Sequence, residues 1–391
     1  MKKRILWIDG MKGIACIGIL IHHFFVGFLP ATYYGADAVS HLQTNFEETF
    51  SQSPFSFILN GNFWVCIFCI VSAFLLSYKV MNNDKKEKVS TSILNRYFKL
   101  VLPLFIVSLI VYLLLSLNLF RNIAASDITK STWLASYYNH EETFINVLKT
   151  SFIDVWFIGN SDFSTAFWML SILFNGGIVA IVLSEIQWKF GKKSIIFYII
   201  ISFIFLYLKS YFLVFSLGVI IAYLFKYNYT LKKHKIIPIF LILFGIILAG
   251  FPSGVEPTNF YKYLNFEATE YGKDVIWHIF ASALVMYGIM NIDLIKKILS
   301  CNILKKLGSI SYSIYLIHIP IMFSVSSYMF IKLYEITNKY IFTFAITLIC
   351  TIVLTIILGY LYNIIIEKNI NRFINYCYEK LSPKEEKKLL S

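Results

Sequence analysis

The sequence predicts an all-α fold, a polytopic bundle of transmembrane helices. Of the 391 residues, 58% are hydrophobic and only 15% are charged, whereas a soluble domain averages about 25% charged residues. The apolar residues also gather in runs of about 20, the length of a helix that crosses a bilayer. These observations exclude a soluble enzyme and a disordered chain, and they favour an integral membrane protein.

Ten apolar runs of near-spanning length follow one another along the chain. They cover residues 8–29, 58–78, 100–119, 163–184, 194–208, 210–225, 236–251, 275–292, 309–331 and 340–366. The fifth and sixth are short and are separated only by Lys209, so they form either a hairpin or one broken element. We therefore expect about ten spans, within a range of eight to eleven. Residues 1–366 form the membrane-embedded domain in this interpretation, and residues 367–391 form a short charged cytosolic tail.

The distribution of basic residues predicts the orientation. The formal net charge is +13 with 35 Lys and Arg. If the ten runs alternate across the bilayer, 27 of these 35 residues lie on the same side as the N-terminus. Because loops rich in Lys and Arg stay in the cytosol, we expect both termini to be cytosolic in a cell membrane. The basic charge then needs no nucleic-acid partner.

Absent patterns narrow the chemistry further. Four of the six cysteines lie in apolar runs and the other two in segments predicted to be cytosolic, so we expect neither disulfides nor a metal site. No phosphate-binding loop G-x-x-x-x-G-K-[ST], zinc motif H-E-x-x-H or hydrolase elbow G-x-S-x-G occurs. ATP-driven transport, zinc proteolysis and elbow-type serine hydrolysis have no support.

The opening helix carries ionisable residues that a lipid-facing helix avoids. Lys12 and His23 are eleven residues apart, which places them on one helix face about 16 Å apart along the axis. His22 lies off that face. A buried imidazole can accept a proton from a hydroxyl, so His23 is a candidate general base. The alternative is a core histidine that a neighbouring helix satisfies.

Two cations stand at the cytosolic entry to the third span. Arg96 and Lys99 are three residues apart and so face the same way. Aligned cations suit a phosphate group. The alternative, an anchor to anionic lipid, explains the same pattern.

A polar stripe opens the ninth span. Ser311, Tyr315 and His318 recur at helical spacing, and Pro320 is expected to kink the helix just beyond them. Such a stripe contacts either a bound substrate or a neighbouring helix. Residues 120–162 add aromatic and acidic side chains on the outer side, among them Trp133. They suit sugar binding, or they form an interfacial aromatic belt.

Taken together, these segments resemble the acyltransferase-3 family of multi-pass bacterial membrane proteins. The family's D-G-[LM]-R-[GA]-I-A with a His eleven residues after the Arg is matched by Asp9–Ala15 and His23. Its Arg-x-x-Arg is matched by Arg96 and Lys99, and its W-x-L by Trp168–Leu170. The late I-S-Y-S-x-Y-L-x-H-x-P is matched by Ile310–Pro320, and F-x-x-S-G-F-L-L loosely by Phe68–Leu76.

The resemblance implies O-acyl transfer from acetyl-CoA, or another short acyl-CoA, to a hydroxyl of a surface polysaccharide or its lipid-linked precursor. It implies catalytic roles for His23 and Asp9, and contacts of Lys12, Arg96 and Lys99 with the CoA phosphates. It also implies candidate contacts with the substrate or the oxyanion for a further set of residues: Trp168, Ser311, Tyr312, Tyr315 and His318. Direct transfer and an acyl-histidine intermediate both stay open.

The sequence also departs from the family pattern. Lys12 and Lys99 stand where Arg is usual, Leu173 where many members carry Glu, and Ala73 where Gly is usual. Two other functions therefore stay open, a glycan flippase, polymerase or secondary transporter, and a non-catalytic membrane sensor. Transporters more often show internal repeats with broken helices in matching halves, and the sequence shows neither.

Overall fold

The computed structural model confirms an all-helical protein. It describes residues 5–42, 44–82, 89–139, 141–231, 233–234, 236–264, 269 and 272–381. Within these residues, 80% of the chain is helical and no strand forms. The main helices are α1 (Leu6–Phe28), α2 (Gly61–Met81), α3 (Val89–Ser116), α4 (Trp168–Phe190), α5 (Ser194–Tyr207), α6 (Leu213–Lys226), α7 (Ile236–Ala249), α8 (Val275–Met290), α9 (Asp293–Leu299), α10 (Asn302–Ser309), α11 (Ser311–Ile321), α12 (Ser327–Thr337), α13 (Tyr340–Tyr362) and α14 (Lys368–Leu381).

Every predicted apolar run coincides with a helix, but not all of these helices have spanning length. Six helical segments of the described chain are long and apolar enough to cross a membrane, or seven if the pair α8–α9, bent by 102°, counts as one. Helices α5, α6 and α7 have 14 residues each, fewer than the roughly 20 that a span needs. The protein is thus a membrane protein of several spans, whereas ten spans and cytosolic termini stay predictions.

The first half of α1 is packed exceptionally closely against its neighbours. A Cβ atom at Gly10 would collide with the Leu299 carbonyl, and one at Gly13 would lie 2.9 Å from the backbone nitrogen of Gly308. Gly308 in turn lies against the backbone of Asp9. The glycines around Asp9 and Lys12 therefore let α1 approach α9 and α10 at backbone distance.

Helix α11 does not stop at Pro320. It continues to Ile321 and then widens into a π-helical turn, Met322–Ser326, before α12. The Ser324 hydroxyl donates to the Pro320 carbonyl at 2.6 Å. A π-turn is a common device for redirecting a helix.

The predicted charged tail begins as a helix. A second π-helical turn, Asn363–Glu367, joins α13 to α14, which extends to Leu381. Residues 382–391 of the tail lie outside the described residues.

Two side chains bind the C-terminal end of α1. The Ser131 hydroxyl donates to the Val26 carbonyl at 2.9 Å, and the Tyr340 hydroxyl donates to the Phe28 carbonyl at 2.7 Å. The first bond holds the short helix Thr132–Ala135 against α1, and the second joins α1 to the start of α13. The indole of Trp156, by contrast, is fully buried and donates to the Ser151 carbonyl, so it belongs to the core and not to an interfacial belt.

Candidate active site

His23 and His318 form a hydrogen-bonded pair. Nδ1 of His23 lies 2.9 Å from Nε2 of His318, although 295 residues separate them in the chain. Nδ1 of His318 lies 2.7 Å from the carbonyl oxygen of Tyr315. His23 is five residues from the end of α1, which places it about 8 Å from that end and well beyond the middle of the helix.

The hydrogen bonds determine the tautomers of a neutral pair. A carbonyl oxygen only accepts, so Nδ1 of His318 carries its proton and Nε2 offers a lone pair. Nδ1 of His23 must then be the donor to that lone pair. We therefore assign the free lone pair of His23 to Nε2. This is the atom that a general base needs, and the partner on Nδ1 orients it.

His23 lines a cavity of about 320 Å³ at the same end of the bundle. The indole of Trp133 stacks on its ring, with the ring centroids 5.5 Å apart and the planes 8° apart. Other aromatic side chains that line the cavity are Tyr33, Tyr34, Trp168 and Tyr315. Aromatic walls with a few polar groups are typical of small-ligand sites.

His22 also lines this cavity, but it has a different partner. Its Nδ1 lies 2.6 Å from the Leu59 carbonyl, and its ring rests against Gly61, where any side chain would overlap it. It makes no contact with His318 comparable to that of His23. By the same reasoning Nε2 of His22 also carries a free lone pair. The hydrogen bonds therefore do not distinguish the two histidines, and the choice of His23 over His22 as the base stays a prediction.

A carboxylate faces the same cavity. Asp274 immediately precedes α8, and its Oδ2 accepts hydrogen bonds from Asn62 and Ser253. Burial opposes its ionisation, but the neighbouring His278, Asn62 and Ser253 outweigh that effect and lower the pKa of Asp274. Asp274 is therefore ionised at neutral pH.

The predicted oxyanion donors are already engaged. The hydroxyls of Ser311, Tyr312 and Tyr315 donate to the carbonyl oxygens of Gly308, Leu100 and Ala166, respectively. Tyr315 and Trp168 line the cavity, whereas Ser311 and Tyr312 do not. An oxyanion role for these three hydroxyls would require each to leave its carbonyl partner.

Lys12 pairs with Asp9 and not with a group near His23. Lys12 Nζ lies 3.3 Å from Oδ1 of Asp9, one turn earlier on α1. Asp9 precedes His23 by fourteen residues in the same helix, a rise of about 21 Å. This distance excludes direct contact between Asp9 and His23.

Arg96 is a partly satisfied cation. One terminal nitrogen, Nη2, donates to the Leu173 carbonyl at 2.7 Å and lies 3.4 Å from the Ser72 hydroxyl. Nε has no hydrogen-bond partner among the described residues, and none of the described carboxylates pairs with the guanidinium. Lys99 lies half-buried one turn further along α3. A half-buried guanidinium with an unsatisfied N–H group fits an anionic ligand.

The cationic residues are separate from the cavity. Among the residues that line the cavity, Ile19, Val65 and Tyr315 are nearly fully buried. Neither Lys12 nor Arg96 lines it. The structure therefore brings His23, His318, Tyr315 and Trp168 together at one site.

Sequence reasoning missed several residues of this site. Asp274 and Asn62 carry no motif, and Tyr33 lies in a short helix of a segment without Lys or Arg. For Trp133 a signal existed, since it belongs to the outer aromatic segment that suggested sugar binding. The sequence could not indicate that Trp133 stacks on His23.

Comparisons with known proteins identify the family. A family model described as an acyltransferase domain, Acyl_transf_3, matches residues 5–362. No curated protein and no solved structure matches the chain. The match covers nearly every residue of the membrane bundle, including both halves of the histidine pair and the cations of α1 and α3. The chain therefore belongs to the acyltransferase-3 family, and it is a membrane-embedded acyltransferase domain.

Proposed function

We propose that this protein transfers an acetyl or other short acyl group from acyl-CoA to a hydroxyl of a surface polysaccharide or its lipid-linked precursor, in a bacterial plasma membrane. The observation that carries this proposal is the histidine pair. His23 Nδ1 is held at 2.9 Å by His318, which leaves Nε2 as the basic atom in an aromatic cavity. That arrangement suits deprotonation of a sugar hydroxyl better than conduction of a solute.

The reaction follows from these groups. Nε2 of His23 takes the proton of the acceptor hydroxyl as its oxygen attacks the thioester carbonyl. The C–O bond forms, the C–S bond breaks, and the CoA thiolate leaves with the proton returned by His23. His318 accepts the Nδ1–H hydrogen bond throughout, which stabilises the imidazolium and fixes the ring.

The donor is proposed to bind through the cationic residues. Arg96 has an unsatisfied Nε–H group, and Lys12 and Lys99 are half-buried cations at the predicted cytosolic side. These groups match the phosphates of CoA. Lys12 and His23 are about 16 Å apart along α1, so the acyl arm has to extend inward past Ile19 to meet the base.

The acceptor is proposed to enter the cavity from the opposite side. Trp133 and Trp168 supply flat apolar surfaces there, which pack on the C–H faces of sugar rings. Several residues of the cavity wall, including Tyr33 and Ser253, come from segments predicted to lie outside the cell.

Mass spectrometry of the surface polysaccharide tests the proposal. Cells that carry the His23→Ala variant are compared with wild-type cells and with a control variant, His234→Ala, shortly before α7. We expect ester-linked acetyl to be lost with His23→Ala, at a constant amount of polymer. Loss of the polymer itself would indicate a flippase or polymerase, and unchanged ester would remove the catalytic role of His23.

A further inference from the structure

The carboxylate of Asp274 uses its two oxygens differently. Oδ2 accepts hydrogen bonds from Asn62 Nδ2 at 2.8 Å and from the Ser253 hydroxyl at 2.7 Å. It also lies 3.2 Å from Nδ1 of His278. The Tyr211 hydroxyl donates to Oδ1 of Asn62 at 2.7 Å, which fixes the amide so that its NH₂ group points at Asp274. One oxygen of the carboxylate is therefore saturated by the protein.

His278 helps to hold the Asp274 carboxylate in place. Its Nε2 lies 3.1 Å from the Phe251 carbonyl, and a carbonyl only accepts, so Nε2 carries a proton. Nδ1 of the same ring lies against Oδ2 of Asp274, and both side chains are almost entirely buried. These contacts fix the position of the Asp274 carboxylate.

The other oxygen has a different environment among the described residues. Oδ1 of Asp274 accepts no hydrogen bond from any residue that the structure describes. It lies beside Gly272, which also lines the cavity. A Cβ atom at Gly272 would lie 2.5 Å from Oδ1, and the φ angle of +127° already disfavours an L residue there. The glycine thus keeps the space beside this oxygen clear.

An acceptor hydroxyl fits that space. A carboxylate oxygen in a cavity with aromatic walls binds O–H donors, and His23 on the same cavity wall receives the proton of the attacking hydroxyl. The negative charge disfavours an acceptor that carries its own carboxylate. The two groups together select an uncharged sugar with at least two hydroxyls.

We infer that Oδ1 of Asp274 binds a second hydroxyl of an uncharged sugar acceptor and so directs the reacting hydroxyl to His23. This inference rests on the proposed function. His278, Asn62 and Ser253 act as positioning residues that hold the carboxylate and do not touch the acceptor. The pairing of Asp274 with His278 does not by itself require any ligand, and a purely structural role is what the experiment has to exclude.

The test uses the full-length protein in detergent, acetyl-CoA, and surface polysaccharide from the same cells stripped of its esters with mild alkali. We expect Asp274→Asn to raise the KM for the polysaccharide about tenfold or more, with the KM for acetyl-CoA unchanged. The exposed Asp37→Asn serves as the matched control and should change neither constant. An unaltered KM for the polysaccharide, or a fall in kcat alone, would overturn the inference. If wild-type protein transfers no acetyl at all, the proposed function fails and this inference fails with it.

A second measurement needs no variant and covers the case in which Asp274→Asn does not fold. Methyl β-D-glucoside and the corresponding glucuronide compete with the polysaccharide in the wild-type reaction. We expect the uncharged glycoside to inhibit at concentrations about tenfold lower than the uronide. Equal inhibition by the two, or inhibition by neither, would contradict the role of Asp274.

Discussion

The two ends of α1 treat their ionisable side chains in different ways. At the end near His23, the ionisable side chains form hydrogen bonds with other side chains. Nε2 of His23 and Oδ1 of Asp274 face a cavity of about 320 Å³. At the other end, Lys12 is paired with Asp9 of its own helix, where glycines bring the neighbouring backbones together. Arg96 of α3 is bound to a backbone carbonyl.

This difference separates two tasks. The cavity end is organised to move a proton, because each histidine has one defined donor and one defined acceptor nitrogen. The cationic end has no such relay, and its guanidinium keeps an unsatisfied N–H group, which suits the binding of an anion. Substitutions in the histidine pair at the first end should therefore lower kcat, and substitutions at the second end should raise the KM for acyl-CoA.

The largest effect in this comparison is expected at His318. Its replacement by Leu removes the acceptor for Nδ1–H of His23 and lets the imidazole rotate, so kcat should fall about 100-fold. His318→Gln keeps an acceptor oxygen near that position and should recover part of the loss. The measurement is the steady-state transfer rate from acetyl-CoA at saturating substrates. Equal rates for the Leu and Gln variants would show that the hydrogen bond to His23 does not matter.

A smaller effect is expected at Arg96. Arg96→Met should raise the KM for acetyl-CoA about tenfold, equivalent to about 1.4 kcal/mol of binding free energy, with kcat nearly unchanged. Thermal stability should not fall, because a half-buried guanidinium without a carboxylate partner among the described residues is costly to keep in the fold. Arg121→Met, at an exposed position in a segment predicted to lie outside the cell, is the control. A lower melting temperature together with an unchanged KM would make Arg96 a structural residue.

The smallest effect is expected at Asp9. Asp9→Asn loosens the hold on Lys12 and should raise the KM for acetyl-CoA a few-fold, while kcat should change less than about threefold, because the residue lies about 21 Å from His23. Steady-state kinetics with varied acetyl-CoA distinguish the two constants. A fall in kcat of about 100-fold would place Asp9 in the chemistry despite that distance.

Much of the bundle could be predicted because lipid imposes a simple rule on sequence. A spanning helix must be apolar and satisfies its own backbone, so each apolar run became a helix. The number of spans was harder to predict. Helices α5, α6 and α7 are apolar but have only 14 residues each, fewer than the roughly 20 that cross a bilayer. Apolar composition alone does not distinguish a helix of full spanning length from a shorter apolar helix.

The candidate site could be predicted only where its residues share one helix. Lys12 and His23 follow from spacing, as do Tyr315 and His318. The hydroxyls of Tyr312 and Tyr315 were expected to face substrate, yet they donate to the carbonyls of Leu100 and Ala166. Those carbonyls belong to other parts of the chain, and no local pattern shows where they lie.

The sequence by itself determined that this protein is helical, lies in a membrane and carries a histidine where lipid disfavours one, because composition and helical periodicity are local properties. Only the tertiary structure decided that His318 holds His23 across 295 residues and that Asp274 faces the same cavity. The physical reason is that the protonation of a side chain, and the groups that it contacts, depend on the partner that packing brings to it. Packing joins segments that are remote in sequence.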